Sequence, residues 1–213
     1  MRISHQFKFL YIAINKTGSS TVRGLLNQYS DVRSISNSGN FAHHVTAHKL
    51  KSVFQNYHWS WDDYFKFSVV RHPVSRLYSL YKYRLRLGRQ PPSANFLKNN
   101  YCLYKASLEF CDRNISFEEA ILTDAIPTPS QCSFVVDPDN GDMLLDQVIK
   151  LEDLANGLNG VWNRLGLRLE DLRVIPILNA SNQERSSWNG LLGPAAMAKV
   201  ESIYEADYAL FDY

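Results

Sequence analysis

The stretch "FKFLYIAINKTGSST" (residues 7–21) joins an apolar run to a polar loop and to the start of a helical pattern. Residues 7–14 are aromatic, aliphatic or β-branched, which is typical of a strand that is buried on both faces. Beyond the loop, apolar side chains recur at helical spacing, namely Val22, Leu25, Leu26 and Tyr29. Ser19 or Ser20 would be a good N-cap for that helix. The sequence therefore predicts a strand, a loop and a helix in succession.

The loop at residues 15–21 has the composition of a phosphate-binding site. A helix N-terminus exposes backbone N–H groups with partial positive charge, and these attract phosphate. Gly18 would let the backbone turn closely, Lys16 adds a full charge, and three hydroxyl side chains follow, Ser19, Ser20 and Thr21. The lysine stands two residues before the glycine, whereas the nucleoside-triphosphate loop has it directly after its second glycine. From these residues alone, a polar turn with a surface lysine is a serious alternative.

A second strand ends in another set of phosphate-binding side chains. Residues 64–70, "YFKFSVV", are followed by "RHPVSRLYS", in which Pro73 suits the first turn of a helix. Arg71 would lie at the carboxyl end of this strand, and Ser79 about two helical turns further on. Because parallel strands share the edge where ligands bind, Lys16 and Arg71 would hold two separate phosphates of one ligand. Arg76 is interpreted as a solvated helix charge.

The remaining pattern alternates strands with helices. Helices are predicted near residues 46–57, 74–88, 116–124, 152–167 and 193–211, and further strands at 144–151 and 173–178, while 30–42 is predicted as a surface loop. Gly157 and Gly160 should weaken their helix, and Ser116 with Glu119 has the spacing of a capping box. This alternation predicts an α/β fold with a central, mostly parallel sheet flanked by helices. At 213 residues the chain is expected to form one domain over 1–213.

Composition excludes several classes of protein. The net charge of +2 is too small to indicate nucleic-acid binding, and no apolar run is long enough to span a bilayer. The three cysteines, Cys102, Cys111 and Cys132, form no metal-binding pattern and favour free thiols in a reducing compartment. A Cys102–Cys111 disulfide is the minor alternative.

Taken together, these motifs resemble those of a known enzyme family. "KTGSST" and "RHPVSRLYS" are similar to the two nucleotide-binding motifs of sulfotransferases that use 3′-phosphoadenosine 5′-phosphosulfate (PAPS). The nearest branch contains the Golgi carbohydrate sulfotransferases and their small bacterial relatives. Between the motifs, "HHVTAHKL" resembles the family's His-x-Thr-Ala segment, and "VIKLEDL", "PILNAS" and "YEADYALFDY" resemble later landmarks. The order and spacing of these segments cover nearly the whole chain.

The resemblance implies a P-loop-like three-layer fold and specific residue roles. Lys16 and the loop residues Thr17, Gly18, Ser19, Ser20 and Thr21 would hold the 5′-phosphosulfate, with Lys16 neutralising charge on the leaving phosphate oxygen. Arg71 and Ser79 would hold the 3′-phosphate. His44 would be the catalytic base that takes the acceptor's proton, and its neighbour His43 is a close rival. The product would be adenosine 3′,5′-bisphosphate, and no metal is required.

The acceptor is the part that the sequence specifies least. A carbohydrate hydroxyl is the expected acceptor, and residues 81–90 carry a basic set that would hold an acidic sugar chain or form a solvated helix end. Trp59 and Trp61 would stack on a sugar or an adenine, although packing in the core is the simpler interpretation. Residues 179–185 are a candidate segment for closing over the cofactor. The short chain without an anchor is expected to be cytoplasmic and of the bacterial type, with its oligomeric state left open.

Two other classes of function are weighed against the transferase. A P-loop kinase or other NTPase needs an acidic residue for Mg²⁺ and the Gly-Lys-[Ser/Thr] order, and the loop at residues 15–21 lacks that order. A non-catalytic nucleotide- or carbohydrate-binding module of the same fold would keep the binding residues but not the reaction.

Overall fold

The strand predicted from residues 7–14 lies at the centre of a five-stranded sheet. The computed structural model describes residues 1–34, 39–90, 92–168, 170 and 190–213. Its strands are β1 (Arg2–Ser4), β2 (Phe9–Ile12), β3 (Val32–Arg33), β4 (Phe65–Val70) and β5 (Gln147–Lys150). Their order in the sheet is β3-β1-β2-β4-β5.

Strand direction divides this sheet into a parallel part and an antiparallel edge. β2, β4 and β5 run parallel to one another, while β1 is antiparallel to both β2 and β3. Ile12, the last residue of β2, pairs with Ser68 of β4, and the buried Ser68 hydroxyl donates to the Ile12 carbonyl at 2.8 Å. The predicted α/β fold, with a sheet that is mostly parallel in its core and flanked by helices, is confirmed.

Helices occupy most of the connections between strands. They are α1 (Ser19–Leu26), α2 (Ala47–Asn56), α3 (Pro73–Arg89), α4 (Ala94–Asp112), α5 (Phe117–Leu122), α6 (Cys132–Val135), α7 (Leu154–Leu165), α8 (Pro194–Ile203) and α9 (Glu205–Phe211). Short 3₁₀ turns follow α1 at Asn27–Tyr29 and precede α7 at Leu151–Asp153. The capping box at Ser116 and Glu119 is present at the start of α5, as predicted.

The described residues form two compact units. The first contains residues 1–71 and 130–170 and holds the sheet. Its core packs β2, β4 and β5 against α1 and α7, with Trp162 of α7 fully buried. Every residue of β2 is buried, because both faces of this strand are covered.

The second unit contains residues 72–129 and 190–213 and is helical. Its core joins apolar residues of α3, α4, α5 and α8, among them Val74, Phe110, Phe117 and Val200. Arg76 of α3 is also buried here, with 1% of its surface exposed. It donates to the Pro129 carbonyl at 2.7 Å and to the Thr128 hydroxyl at 3.1 Å. The expectation that Arg76 is a solvated helix charge is therefore wrong.

Several sequence predictions differ from the structure in their details. β1 and β3 were not predicted as separate strands, because they have only three and two residues and carry no periodic signal. The C-terminal helix is interrupted at Tyr204, where α8 ends and α9 begins. The strand predicted at residues 173–178 and the candidate closing segment at 179–185 lie outside the described residues. The single domain over 1–213 stays a prediction.

The two glycines of α7 differ in their surroundings. A Cβ on Gly157 would overlap the Ile149 side chain of β5, whereas a Cβ on Gly160 would meet nothing closer than the Gln147 side-chain nitrogen at 4.0 Å. Gly157 is therefore a position of close helix–sheet packing, and Gly160 is the only one of the two at which the sequence argument about helix weakening applies.

We expect opposite effects from the two alanine substitutions. Gly157→Ala should lower the free energy of unfolding by about 1 to 3 kcal/mol, because it overpacks the contact with Ile149. Gly160→Ala should raise it by roughly 0.5 to 1 kcal/mol, because alanine is the better helix former. Urea unfolding of both variants at one pH measures this, and equal effects of the two would contradict the packing of α7 on β5.

Candidate functional site

The loop between β2 and α1 turns sharply and begins the helix without a side-chain cap. Lys16 and Gly18 both have left-handed backbone conformations, with φ of 64° and 73°. Gly18 is the N-cap of α1, and no side chain caps it, so the prediction of Ser19 or Ser20 as N-cap is wrong. The uncapped first turn has the backbone N–H groups that a helix N-terminus offers to an anion.

Within this loop the hydroxyl groups have different surroundings. Thr17 is fully buried, and its hydroxyl donates to the Ile14 carbonyl at 3.0 Å, which holds the loop against the end of β2. Ser20 is exposed and Thr21 is half-buried. The side chain of Thr17 therefore supports the loop, while Ser20 is exposed to solvent and Thr21 is partly exposed.

Arg71 directly follows β4 and reaches the same loop. Its side chain is buried, with 4% of its surface exposed, and its Nη1 donates to the Lys16 carbonyl at 3.3 Å. The parallel pairing of β2 and β4 is the cause, since it brings the carboxyl ends of both strands to one edge. The structure thus brings together two of the predicted site residues, Lys16 and Arg71.

Gln131 fixes the backbone of Arg71 and was not found by sequence analysis. Its side-chain oxygen accepts from the Arg71 N–H at 2.9 Å, and its side-chain nitrogen donates to the Arg71 carbonyl at 2.8 Å. Gln131 is fully buried. Since the two residues are 60 positions apart, no local pattern in the sequence indicates this pair.

His44 packs against the end of β2 and has a defined tautomer. Its Nδ1 lies 2.8 Å from the Ala13 carbonyl, and a carbonyl only accepts, so the proton is on Nδ1. The Nε2 of His44 then carries the lone pair. Burial, and to a smaller extent the positive charge of Arg23, lower the pKa of His44 to about 4, although the bond to the Ala13 carbonyl acts in the opposite direction. His44 is therefore neutral at physiological pH.

His43 has the opposite tautomer. Its Nδ1 lies 2.8 Å from Nη1 of Arg23, and a guanidinium only donates, so Nδ1 accepts and the proton of the neutral ring is on Nε2. Burial and the charge of Arg23 also lower the pKa of His43. The two neighbouring histidines thus present a lone pair from His44 and an N–H from His43.

Ser79 and the basic end of α3 belong to the second unit. Ser79 is half-buried on α3, and its assignment to the 3′-phosphate stays a prediction. Of the basic side chains in residues 81–90, Lys82, Arg86 and Arg89 are exposed. Arg84 is half-buried and donates to the Ser107 hydroxyl of α4 at 3.4 Å. This segment is therefore partly a solvated helix end and partly a helix–helix contact.

Cysteines and possible metal ligands lie outside the loop. Cys102, Cys111 and Cys132 are free, as the favoured interpretation predicted. Among the described residues, the side chains of His48, Asp137 and Asp139 place one ligand atom each within 4.8 Å of the others. The Lys51 ammonium, 3.6 Å from Asp137, already provides a positive charge there.

The low pKa of His44 predicts an acid-dependent loss of stability. The unfolded chain would protonate His44 near pH 6.5, but the folded chain only near pH 4. The stabilisation is complete above pH 6.5 and is lost as the pH falls toward 4, because only the unfolded state binds the proton in that window. Between pH 7.5 and 4.5 the protonation of His44 in the unfolded state should lower the free energy of unfolding by about 2 to 3 kcal/mol.

Urea unfolding at these two pH values checks the prediction by comparing wild type with His44→Gln. The variant should lose less stability on acidification, while His58→Gln, at an exposed position, should behave as wild type. An unchanged acid loss in His44→Gln would contradict the buried, neutral state of this ring.

None of the described helices is both long and apolar enough to cross a membrane.

Comparison with known proteins identifies the family. A family model described as the sulfotransferase family matches residues 1–213, the whole chain. Comparisons with curated proteins and with solved structures each returned no match. Since the family match extends over both compact units, it includes the loop at Lys16, Arg71, both histidines and α3. The chain belongs to the sulfotransferase family, and its reaction is the transfer of a sulfuryl group to an acceptor.

Proposed function

We propose that this sulfotransferase takes its sulfuryl group from PAPS and transfers it to a hydroxyl of a carbohydrate. The observation that carries the proposal is the convergence of three groups on the end of β2. Arg71 donates to the Lys16 carbonyl, His44 donates to the Ala13 carbonyl, and α1 begins uncapped after Gly18. Binding groups for an anion and a proton acceptor thus lie along the six residues 13–18.

The residues of the loop fit the 5′ end of such a donor. The first turn of α1 supplies N–H donors and the positive end of its dipole, and Lys16 adds a full positive charge. In this proposal the donor supplies an activated sulfuryl group, and Lys16 stabilises the negative charge that develops on its phosphate oxygen. The exposed Ser20 hydroxyl is available to the same anion.

Arg71 is proposed to bind the 3′-phosphate. A guanidinium suits a phosphate because its parallel N–H groups match two phosphate oxygens. The bonds from Gln131 hold the Arg71 backbone at a fixed position after β4, which limits the conformations open to the side chain. Ser79 is kept as a predicted second contact to this phosphate.

The tautomers favour His44 over His43 as the base. A base needs an unprotonated ring nitrogen. In His44 this nitrogen is Nε2, because the proton of the neutral ring is on Nδ1, which donates to the Ala13 carbonyl. In His43 the nitrogen with the lone pair accepts from Arg23, and Nε2 bears the proton. We infer that His44 accepts the proton of the acceptor hydroxyl, while His43 Nε2 is a hydrogen-bond donor.

Binding of adenosine 3′,5′-bisphosphate tests the donor site. At a concentration a hundredfold above its Kd, it should raise the melting temperature of the protein by about 5 to 10 °C without magnesium. Lys16→Ala and Arg71→Gln should each remove most of this increase, because each loses a charge-assisted contact to one phosphate. Differential scanning fluorimetry measures the increase in melting temperature in the wild type and in both variants.

The matched control is Lys98→Ala, an exposed lysine of α4, which should keep the full increase. Adenosine 5′-monophosphate should give a smaller one, since it lacks the 3′-phosphate. No increase at saturating bisphosphate would refute the proposed donor, and a magnesium-dependent increase with ATP would support the NTPase alternative.

Turnover of PAPS separates the two histidines. His44→Gln should lower kcat by about 10²- to 10⁴-fold with little change in bisphosphate affinity, because general-base catalysis contributes on that scale. His43→Gln should have a much smaller effect. Mass spectrometry of a panel of hydroxylated acceptors, incubated with PAPS and each variant, detects the sulfated product. An equal loss in both variants would contradict the assignment from the tautomers.

A further inference from the structure

A cleft opens at the amino ends of β4 and β5, opposite the edge that carries Arg71. It has a volume of about 550 Å³, and residues on its wall include Gln55, Trp59, Trp61, Asn140, Asp142 and Asp146. Lys66, near the start of β4, and Asp146, just before β5, also contribute to the wall. Because β4 has six residues and spans about 20 Å, this cleft is remote from Arg71 at the other end of the strand. None of its residues takes part in the proposed reaction.

One wall of the cleft consists of fixed aromatic rings. Trp59 and Trp61 each pack edge-on against the buried Phe54 of α2, with ring centroids 5.3 Å apart in both pairs. Tyr57 stacks on Trp59 at 4.9 Å and is 50% exposed. Both tryptophans remain partly exposed. The cleft therefore offers preformed apolar ring surfaces, which suit the apolar faces of sugar rings.

The other wall is polar and has an excess of negative charge. Two lysines, Lys51 and Lys66, face four aspartates, Asp62, Asp137, Asp142 and Asp146, which gives a formal charge of −2. Both lysines form ion pairs, Lys66 with Asp146 at 3.1 Å and Lys51 with Asp137 at 3.6 Å. The excess carboxylates repel anionic ligands and accept hydrogen bonds from hydroxyl groups.

At the Trp61 ring, a cationic ligand group fits less well than a neutral one. The Lys66 ammonium lies over the Trp61 ring, 5.7 Å from its centroid. A ligand ammonium or guanidinium at this ring would meet a charge of the same sign. A ligand with many hydroxyl groups and no net charge satisfies both walls.

We propose that this cleft binds an uncharged sugar unit of the acceptor, remote from the hydroxyl that reacts. Helix α2 connects the two places, since it begins three residues after His44 and its last turn contributes Gln55 to the cleft. A single sugar cannot contact both, because α2 is about 15 Å long. The acceptor is thus a neutral oligosaccharide or polysaccharide of several units. This assignment of the acceptor rests on the proposed function, although binding to the cleft does not.

Binding is tested first, without any donor. The neutral probes are dextran, galactan, xylan and chitin oligosaccharides free of chitosan, each added to a native gel. At least one of them should retard the wild-type protein. Heparin and polyarginine serve as the anionic and cationic probes. Retardation by heparin or polyarginine alone, or by no probe, would overturn the proposal.

Variants of the cleft locate the binding. Trp59→Ala should weaken saccharide binding at least about tenfold, as expected for an aromatic anchor. Asp142→Ala, at an exposed position, leaves the aromatic packing intact and should also weaken saccharide binding. The control is Tyr101→Ala, an aromatic residue of α4 that is 63% exposed, which should bind as wild type. Equal binding by Trp59→Ala and Asp142→Ala would place the saccharide elsewhere and overturn the proposal.

Turnover distinguishes a failure of this inference from a failure of the proposed function. With a saccharide that binds, Trp59→Ala should raise KM at least about tenfold and leave kcat unchanged, because the contact is the same in the ground state and the transition state. The bisphosphate-induced increase in melting temperature should be the same in this variant. If the cleft binds saccharide but PAPS gives no sulfated product, the proposed function fails alone. If product forms and KM is unchanged in Trp59→Ala, the cleft inference fails alone.

Discussion

The parallel pairing of β2 with β4 is the constraint on which the candidate site depends. It sets the carboxyl ends of both strands side by side, so the loop that follows β2 and the arginine that follows β4 meet. The buried bond from Ser68 to the Ile12 carbonyl reinforces that register near the site. A shift by one residue would turn buried side chains of β2 and β4 to the wrong faces, so the core itself fixes the geometry.

Around this pairing, backbone carbonyls orient three polar side chains of the first unit. The Ala13, Ile14 and Lys16 carbonyls accept from His44, Thr17 and Arg71, respectively. An end of a strand has carbonyls that the sheet no longer uses, and the structure employs them to orient side chains. The result for His44 is a neutral ring whose proton position is fixed, which is the state that a general base requires.

The two ends of β4 then have different chemistry. At its carboxyl end, beside that of β2, lie Lys16, Arg71 and the uncapped start of α1, and this edge suits an anion. Its amino end carries tryptophans, amides and aspartates, and it suits a neutral ligand with hydroxyl groups. An enzyme that joins an anionic donor to a long neutral acceptor would benefit from this separation, because the like-charged carboxylates of the cleft keep the donor from binding there.

The sequence by itself determined the elements whose signals are local. The apolar run before Lys16, the proline after Arg71 and the capping box at Ser116 are each defined within a few residues, and the strands and helices they predict are present. Only the tertiary structure decided which distant groups meet. Gln131 binds Arg71 across 60 residues, Arg76 is buried among groups of its own unit, and the carbonyl of Ala13 sets the tautomer of His44 across 31 residues. Such contacts depend on how strands pair and helices pack, and a single sequence carries no periodic trace of them.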